Sequence, residues 1–197
     1  MPMVEISAAA GHRNKSAVAY HFDGREGLIE AVYAEFQKFL EPRYAALLDE
    51  LEARPRAKLS IYEIALALNS PLFALYASEP DGDAALKTLA RFCHDGPHSM
   101  YRRFLSETFS RFAVLIGRAV PHKALGQINL HLAHFRQASI NGLAMIDRWQ
   151  ELNFQADPEL MFELMLSYTD YVAGGIAGSE VKRPRLDIEH WRRVSRP

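Results

Sequence analysis

Three groups of residues in this chain are of types and spacings that could do chemistry. The first is Arg13-Asn14-Lys15-Ser16, a run of cations and hydrogen-bond donors with no acidic residue between it and Asp23. Side chains of these kinds bond phosphate oxygens and base edges; the plainer alternative is a solvated helical hairpin. The second is Cys93-His94-Asp95, a thiol, an imidazole and a carboxylate in succession. Neighbours in sequence seldom take up the geometry of a nucleophile and its base, and no third, orienting group can be named. The third is histidine. His131 and His134 are three apart and share a helix face, and His94 and His98 flank Gly96-Pro97. A metal centre needs several converging ligands with outer-shell support. No acidic residue stands between Pro121 and Asp147, so no metal and no cofactor is expected, and these imidazoles read as pocket lining or surface. Gly-x-Ser-x-Gly, Glu-x-x-His and a glycine-rich phosphate loop after a strand are all missing, which argues against an enzyme.

The chain that must position these groups has 197 residues, 49% hydrophobic and 24% charged, with a formal net charge of −1. This is the composition of a globular domain, or of two small ones sharing a core. It excludes a protein that coats nucleic acid or anionic membrane by bulk charge, while allowing a local basic patch. The single cysteine excludes an internal disulfide and a Cys-only zinc site, and fits a reducing compartment. The longest uncharged stretch, Ile64 to Ser78, contains Asn69, Ser70 and Pro71 and is too short to span a membrane. The first residues lack a basic region followed by an apolar run, so no secretory signal is expected and the cytoplasm is the expected location.

Helical periodicity dominates, and no run of alternating β-branched residues suggests a strand; the expected class is all-α. Breakers divide the chain into helical segments: Val4–Ala10, ended by Gly11; Ser16–Phe22, followed by Asp23-Gly24; and Arg25 to about Leu40, stopped by Glu41-Pro42. Arg43–Ala53, Leu59–Ala77 (kinked at Pro71) and Asp83–His94 follow. Three long helices complete the pattern, Pro97–Arg118, Pro121–Leu152 and Pro158–Ser179. In the second of these Ile128, Leu132, Phe135, Ser139, Leu143 and Ile146 form a stripe spaced by three or four.

The first two segments are short helices joined by a turn at a glycine, with small alanines that permit a close crossing: helix-turn-helix geometry. Here Ile6, Ala10, Gly11, His21, Phe22, Arg25, Glu26 and Leu28 stand in a register that resembles the TetR/AcrR family of transcriptional regulators. The resemblance implies a DNA-contacting set of Arg13, Asn14, Lys15, Ser16, Tyr20, His21 and Arg25. Arg13 to Ser16 would lie at the start of the recognition helix, and Arg25 on a phosphate at the start of the next helix. The chain departs from the family pattern in three ways. The family has a further amphipathic helix ahead of this point, so the DNA-binding unit is expected to be N-terminally incomplete, with one apolar face of Arg25–Leu40 partly uncovered. Ala19 stands where the family has a tyrosine, with Tyr20 one position off. The turn, His12 to Lys15, is one residue longer.

The resulting division is residues 1–40 as the helix-turn-helix domain, 41–179 as a ligand-binding and dimerisation bundle, and 180–197 as a basic tail. Phe73, Tyr76, Phe92, Tyr101, Phe104 and Phe109, with His134, are the candidate lining of an effector pocket, ordinary core packing being the competing reading of each ring. The last two helices read as a pairing surface. Leu160, Met161, Phe162, Leu164, Met165 and Leu166 make Pro158–Ser179 apolar on more than one side, and Gly174, Gly175 and Gly178 allow close approach. The expected dimer residues are Ile128, Phe135, Leu164, Tyr168, Tyr171, Gly174 and Gly178. The partners implied are a palindromic operator, provided the further helix is present in the working protein, a small-molecule effector and a second copy, with no membrane. The function expected is a ligand-responsive, homodimeric regulator, a repressor by preference. The alternative is a dimeric small-molecule-binding or interaction domain that has lost DNA binding.

Overall fold

The computed structural model describes residues 2–11, 17–78, 81–95, 106–150 and 157–178. These residues form eight α-helices and one 3-10 turn, with no strand among them. The helices are α1 (Met3–Ala9), α2 (Ala17–His21), α3 (Gly24–Glu52), α4 (Ile61–Tyr76), α5 (Gly82–Asp95), α6 (Ser106–Ala119), α7 (Leu125–Gln150) and α8 (Pro158–Ala177), with the 3-10 turn Arg56–Lys58 between α3 and α4. The expected all-α class is what is found. The basic tail, and the aromatic residues Tyr101 and Phe104, lie outside the described residues.

One expected boundary is corrected. The stop at Glu41-Pro42 does not occur: α3 runs unbroken from Gly24 to Glu52 with Pro42 inside it. Proline removes one amide donor from the helix ladder. Here Pro42 lies on the exposed side, and the Arg43 guanidinium donates to the Phe39 carbonyl at 2.7 Å while lying 3.7 Å from the Phe39 ring centroid. The carbonyl that loses its donor to Pro42 is that of Lys38, so the Arg43 contact reinforces the adjacent step of the ladder and does not replace the missing bond. The boundary drawn at residue 40 therefore falls within a single helix.

The core is organised around α4, which packs on α3, α5, α6, α7 and α8. Its sequence is apolar on every side, and a helix of that kind must be covered on every side. Ser60 caps its start by accepting from the Tyr62 amide at 3.2 Å. Likewise Asp157 caps α8, accepting from the Glu159 and Leu160 amides at 3.0 and 3.1 Å, with Pro158 in the first helical position. The stripe read from α7 is buried at all six positions, Ile128 to Ile146.

Two polar arrangements fix how the helices meet. Inside, Asn69 of α4 donates to the Thr169 hydroxyl of α8 at 3.3 Å and accepts from the Ser139 hydroxyl of α7 at 3.3 Å, and Thr169 donates to the Met165 carbonyl at 2.8 Å. At the surface, Arg111 of α6 grips Asp49 and Glu52 of α3 at 2.6 and 2.8 Å. Arg118 of α6 donates to the Arg54 carbonyl at 2.8 Å and more weakly to that of Glu52, a cation at the electronegative end of α3.

Candidate functional site

The amino-terminal unit starts with α1 and α2, which pack on each other; α2 also packs on α3. Ser7 and Val18 are buried in it, so one face of each short helix points inward. Gly11 follows α1 with φ +73°, a left-handed conformation that glycine adopts without cost. Between α2 and α3, Asp23 (φ 54°, ψ 44°) and Gly24 (φ 92°) are both left-handed and turn the chain back. The outer face is polar and open. Tyr20 is 93% exposed, His21 is exposed with its ring stacked edge-on to Phe22 at 4.8 Å, and Arg25 stands exposed in the first turn of α3. Arg13, Asn14, Lys15 and Ser16 lie outside the described residues. Leu28, Ile29, Val32 and Tyr33 are only half-buried, whereas Phe36, Leu40, Tyr44 and Leu48 further along α3 are buried.

Three of the candidate pocket aromatics, Phe73, Phe92 and Phe109, each pack against another ring of the chain. Phe73 and Tyr76 are buried, and the Phe73 ring meets that of Tyr168 edge-on at 5.7 Å. Phe92 meets Phe36 at 6.2 Å, and Phe109 meets Phe135 at 6.5 Å. The packing role of these rings is evident, and aromatic pairs at such distances are favourable beyond their buried area. His134 is exposed on α7 and lines the open groove between α7 and α8.

The expected pairing residues separate into two sets. Ile128 and Phe135 are 2% and 4% exposed, so nearly all of their surface is already covered within the chain's own core. Leu164 and Tyr168 are half-buried; Tyr171 is 69% exposed, and Gly174 and Gly178 are exposed. Between α7 and α8 runs an open groove of about 430 Å³, walled by His131, His134 and Phe135 on one side and Tyr171, Val172 and Ile176 on the other. Gly174 and Gly175 lie along it, and a Cβ added to either would meet nothing within 4 Å. The Lys123 ammonium reaches the Ile176 carbonyl at the end of α8.

A second groove, of about 420 Å³, lies between α5 and α7, with Lys87, Thr88 and Arg91 facing Asn141 and Met145. Sequence reasoning missed it, and also missed the Asn69–Ser139–Thr169 cluster. Both join residues of helices far apart in the chain, and each residue alone is unremarkable in its own helix.

Titration behaviour adds one exclusion. Burial pushes the Cys93 thiol up to about 11, against a smaller opposing effect of Arg136. At neutral pH the thiol stays protonated, and a protonated thiol is a poor nucleophile. Burial also raises the phenols of Tyr44 and Tyr168, and the Tyr44 hydroxyl donates to the Leu68 carbonyl at 3.0 Å. Among the described residues no group of three or more His, Cys, Asp or Glu is placed to hold a metal ion, and no helix is long and apolar enough to cross a membrane. Compared with known proteins, the chain matches no protein-family model, no curated protein and no solved structure.

Proposed function

We propose that this chain is a ligand-responsive, DNA-binding transcriptional regulator of the TetR/AcrR type, acting in the cytoplasm as a homodimeric repressor. The observation that carries the reading is the outer face of the amino-terminal unit. A phenol, an imidazole and a guanidinium, on Tyr20, His21 and Arg25, stand in solvent on the short α2 and the first turn of α3, while Val18 anchors α2 from behind. An aromatic ring left almost wholly exposed costs solubility and gains nothing from the core. It is well suited to a phosphate backbone, where hydroxyls and cations position a protein on the duplex. Arg25 also sits at the electropositive start of α3, where an anionic phosphate is favoured. In this reading Arg13, Asn14, Lys15 and Ser16 read base edges in the major groove.

The face formed by α7 and α8 supports the homodimer. Among the described residues, Gly174 and Gly175 are required neither by a left-handed backbone nor by close packing. Glycine costs a helix up to about 1 kcal/mol relative to alanine. A body outside the chain that approaches the helix closely accounts for that cost. Effector binding in the helical bundle would then favour a spacing of the two recognition helices that does not match the half-sites. The effector must bind that arrangement more tightly than the DNA-bound one.

The test is a gel-shift titration on DNA from the gene's own upstream region, at stated salt, with this chain and with a form extended upstream in frame. A specific shift is expected. Arg25→Ala should weaken it about equally on all sequences and reduce the salt slope by about one. Unchanged affinity and slope would remove Arg25 from the interface. No shift by either form, with self-association intact, would transfer the reading to a dimeric small-molecule-binding domain without DNA function.

A further inference from the structure

The groove between α5 and α7 is built from matching stretches of the two helices. On α5, Ala84, Lys87, Thr88 and Arg91 are spaced by three or four and so lie along one side of that helix. On α7, Asn141, Ala144 and Met145 follow the same rule. The two stretches bring unlike chemistry together. Lys87 and Arg91 are cations one helical turn apart on the α5 wall. Ala90 and Ala144 are buried and form an apolar floor, and the Met145 thioether, 42% exposed, borders it. The small alanine side chains leave a space of about 420 Å³ open between the walls.

The polar groups of this groove are positioned. The Lys87 ammonium donates to Oδ2 of Asp83, in the first turn of α5, at 2.5 Å, and its side chain is 43% exposed. A cation already held in place loses less freedom when an anion arrives than a mobile one does. Arg91 supplies a planar fork of donors that matches the two oxygens of a carboxylate. Thr88 donates to the Ala84 carbonyl at 2.7 Å, and the Asn141 amide to the Gln137 carbonyl at 3.0 Å, so both are tied to their own helices. The Asn141 amide carries a second N–H beyond that bond.

Two cations beside an apolar floor are complementary to an amphipathic anion. Inorganic phosphate would meet the cations and leave the alanines and the thioether without a partner, and a neutral apolar molecule would do the reverse. We propose that the α5–α7 groove binds a small organic acid, its carboxylate on Arg91 and Lys87 and its hydrocarbon body on Ala90, Ala144 and Met145. As a binding site this is independent of DNA; as the effector site it rests on the regulator reading above. The helix α5 supplies the connection, because Phe92, next to Arg91, meets Phe36 of α3, and the first turn of α3 carries Arg25.

The experiment is isothermal titration calorimetry of the full chain with hexanoate and with phenylacetate, each beside its uncharged amide, and with acetate and inorganic phosphate. At least one of the two acids should bind about tenfold more tightly than its amide, than acetate and than phosphate, the scale of a charge-assisted hydrogen bond and a few buried methylenes. Arg91→Gln and Lys87→Gln should each weaken that acid about tenfold. Lys38→Gln, which removes an exposed cation of α3, should leave its affinity unchanged. The three positions are exposed or half-buried, and unchanged thermal melting would show that the variants fold. Binding of neither acid, equal binding of the amide or of phosphate, or an affinity indifferent to both Arg91 and Lys87 overturns the proposal. An acid that binds through these two residues but leaves the gel shift unaltered sustains the site and removes its effector role, while the shift without acid decides the DNA reading separately.

Discussion

At the scale of single residues, Asn69 shows how much one buried polar side chain can decide. Its amide bonds Ser139 and Thr169, so α4, α7 and α8 share one hydrogen-bonded point in an apolar interior. Any rotation of one helix against the others would leave a buried amide or hydroxyl without a partner. Asn69→Ala removes the acceptor of the Ser139 hydroxyl and opens a small cavity, while Thr169 keeps its bond to the Met165 carbonyl. The cost should be about 2 kcal/mol, a fall in melting temperature of roughly 4–8 °C for a chain of this size. Thermal denaturation followed by circular dichroism checks it, and an unchanged midpoint would mean that the cluster contributes nothing net. Asn69 and Thr169 were invisible as a pair in the sequence because they are a hundred positions apart and each is ordinary for its own helix.

At the scale of elements, the end of α8 carries glycines that nothing among the described residues packs against. Gly174→Ala and Gly175→Ala each add a methyl into open space on a helical backbone. Each should therefore stabilise the isolated protomer, by roughly 0.5–1 kcal/mol. If a second copy approaches there, the same substitutions should weaken self-association. Melting at low concentration and sedimentation at high concentration should move in opposite directions, and a parallel gain in both would remove the glycines from the interface. Gly142 makes an instructive contrast. A Cβ there would overlap the Tyr168 hydroxyl, so this glycine is explained within the chain by the close approach of α7 and α8. The Pro42 error was also one of elements: proline usually ends a helix, but this one lies on the exposed side of α3, and the helix continues through it.

At the scale of the whole molecule, the Arg111 bridge joins α3 to α6 and gives stability a pH dependence. The hydrogen bond from Arg111 holds the Glu52 carboxyl below its ordinary value, with burial acting in the opposite direction. A carboxyl depressed in the folded state stabilises it above the unfolded value, and the contribution is lost as pH falls through the folded value. Arg111→Gln should therefore cost about 1 kcal/mol near neutral pH, since the pair is substantially solvent-screened. The difference from wild type should shrink as pH falls through the depressed Glu52 value and be smallest in strong acid, where glutamate is protonated in either state. Urea unfolding near neutral pH and in strong acid reads both. A difference that persists in acid would assign the effect to packing of the arginine stem instead.

The sequence by itself determined what is local. Helix class and most helix ends were legible because they depend on neighbours: Gly11, Asp23-Gly24 and the Asp157-Pro158 cap each act within a few residues. The buried stripe of α7 was legible for the same reason, since its spacing is a property of one helix. Tertiary structure alone decided which partner covers which face. Ile128 and Phe135 turn into the core while Tyr171 stays open, although the sequence offers all three alike as interface residues. It also made α4 the central helix and left two glycines of α8 facing open space. Periodicity records that an apolar face must be covered; what covers it depends on contacts between residues far apart in the chain, and those exist only once the helices have packed.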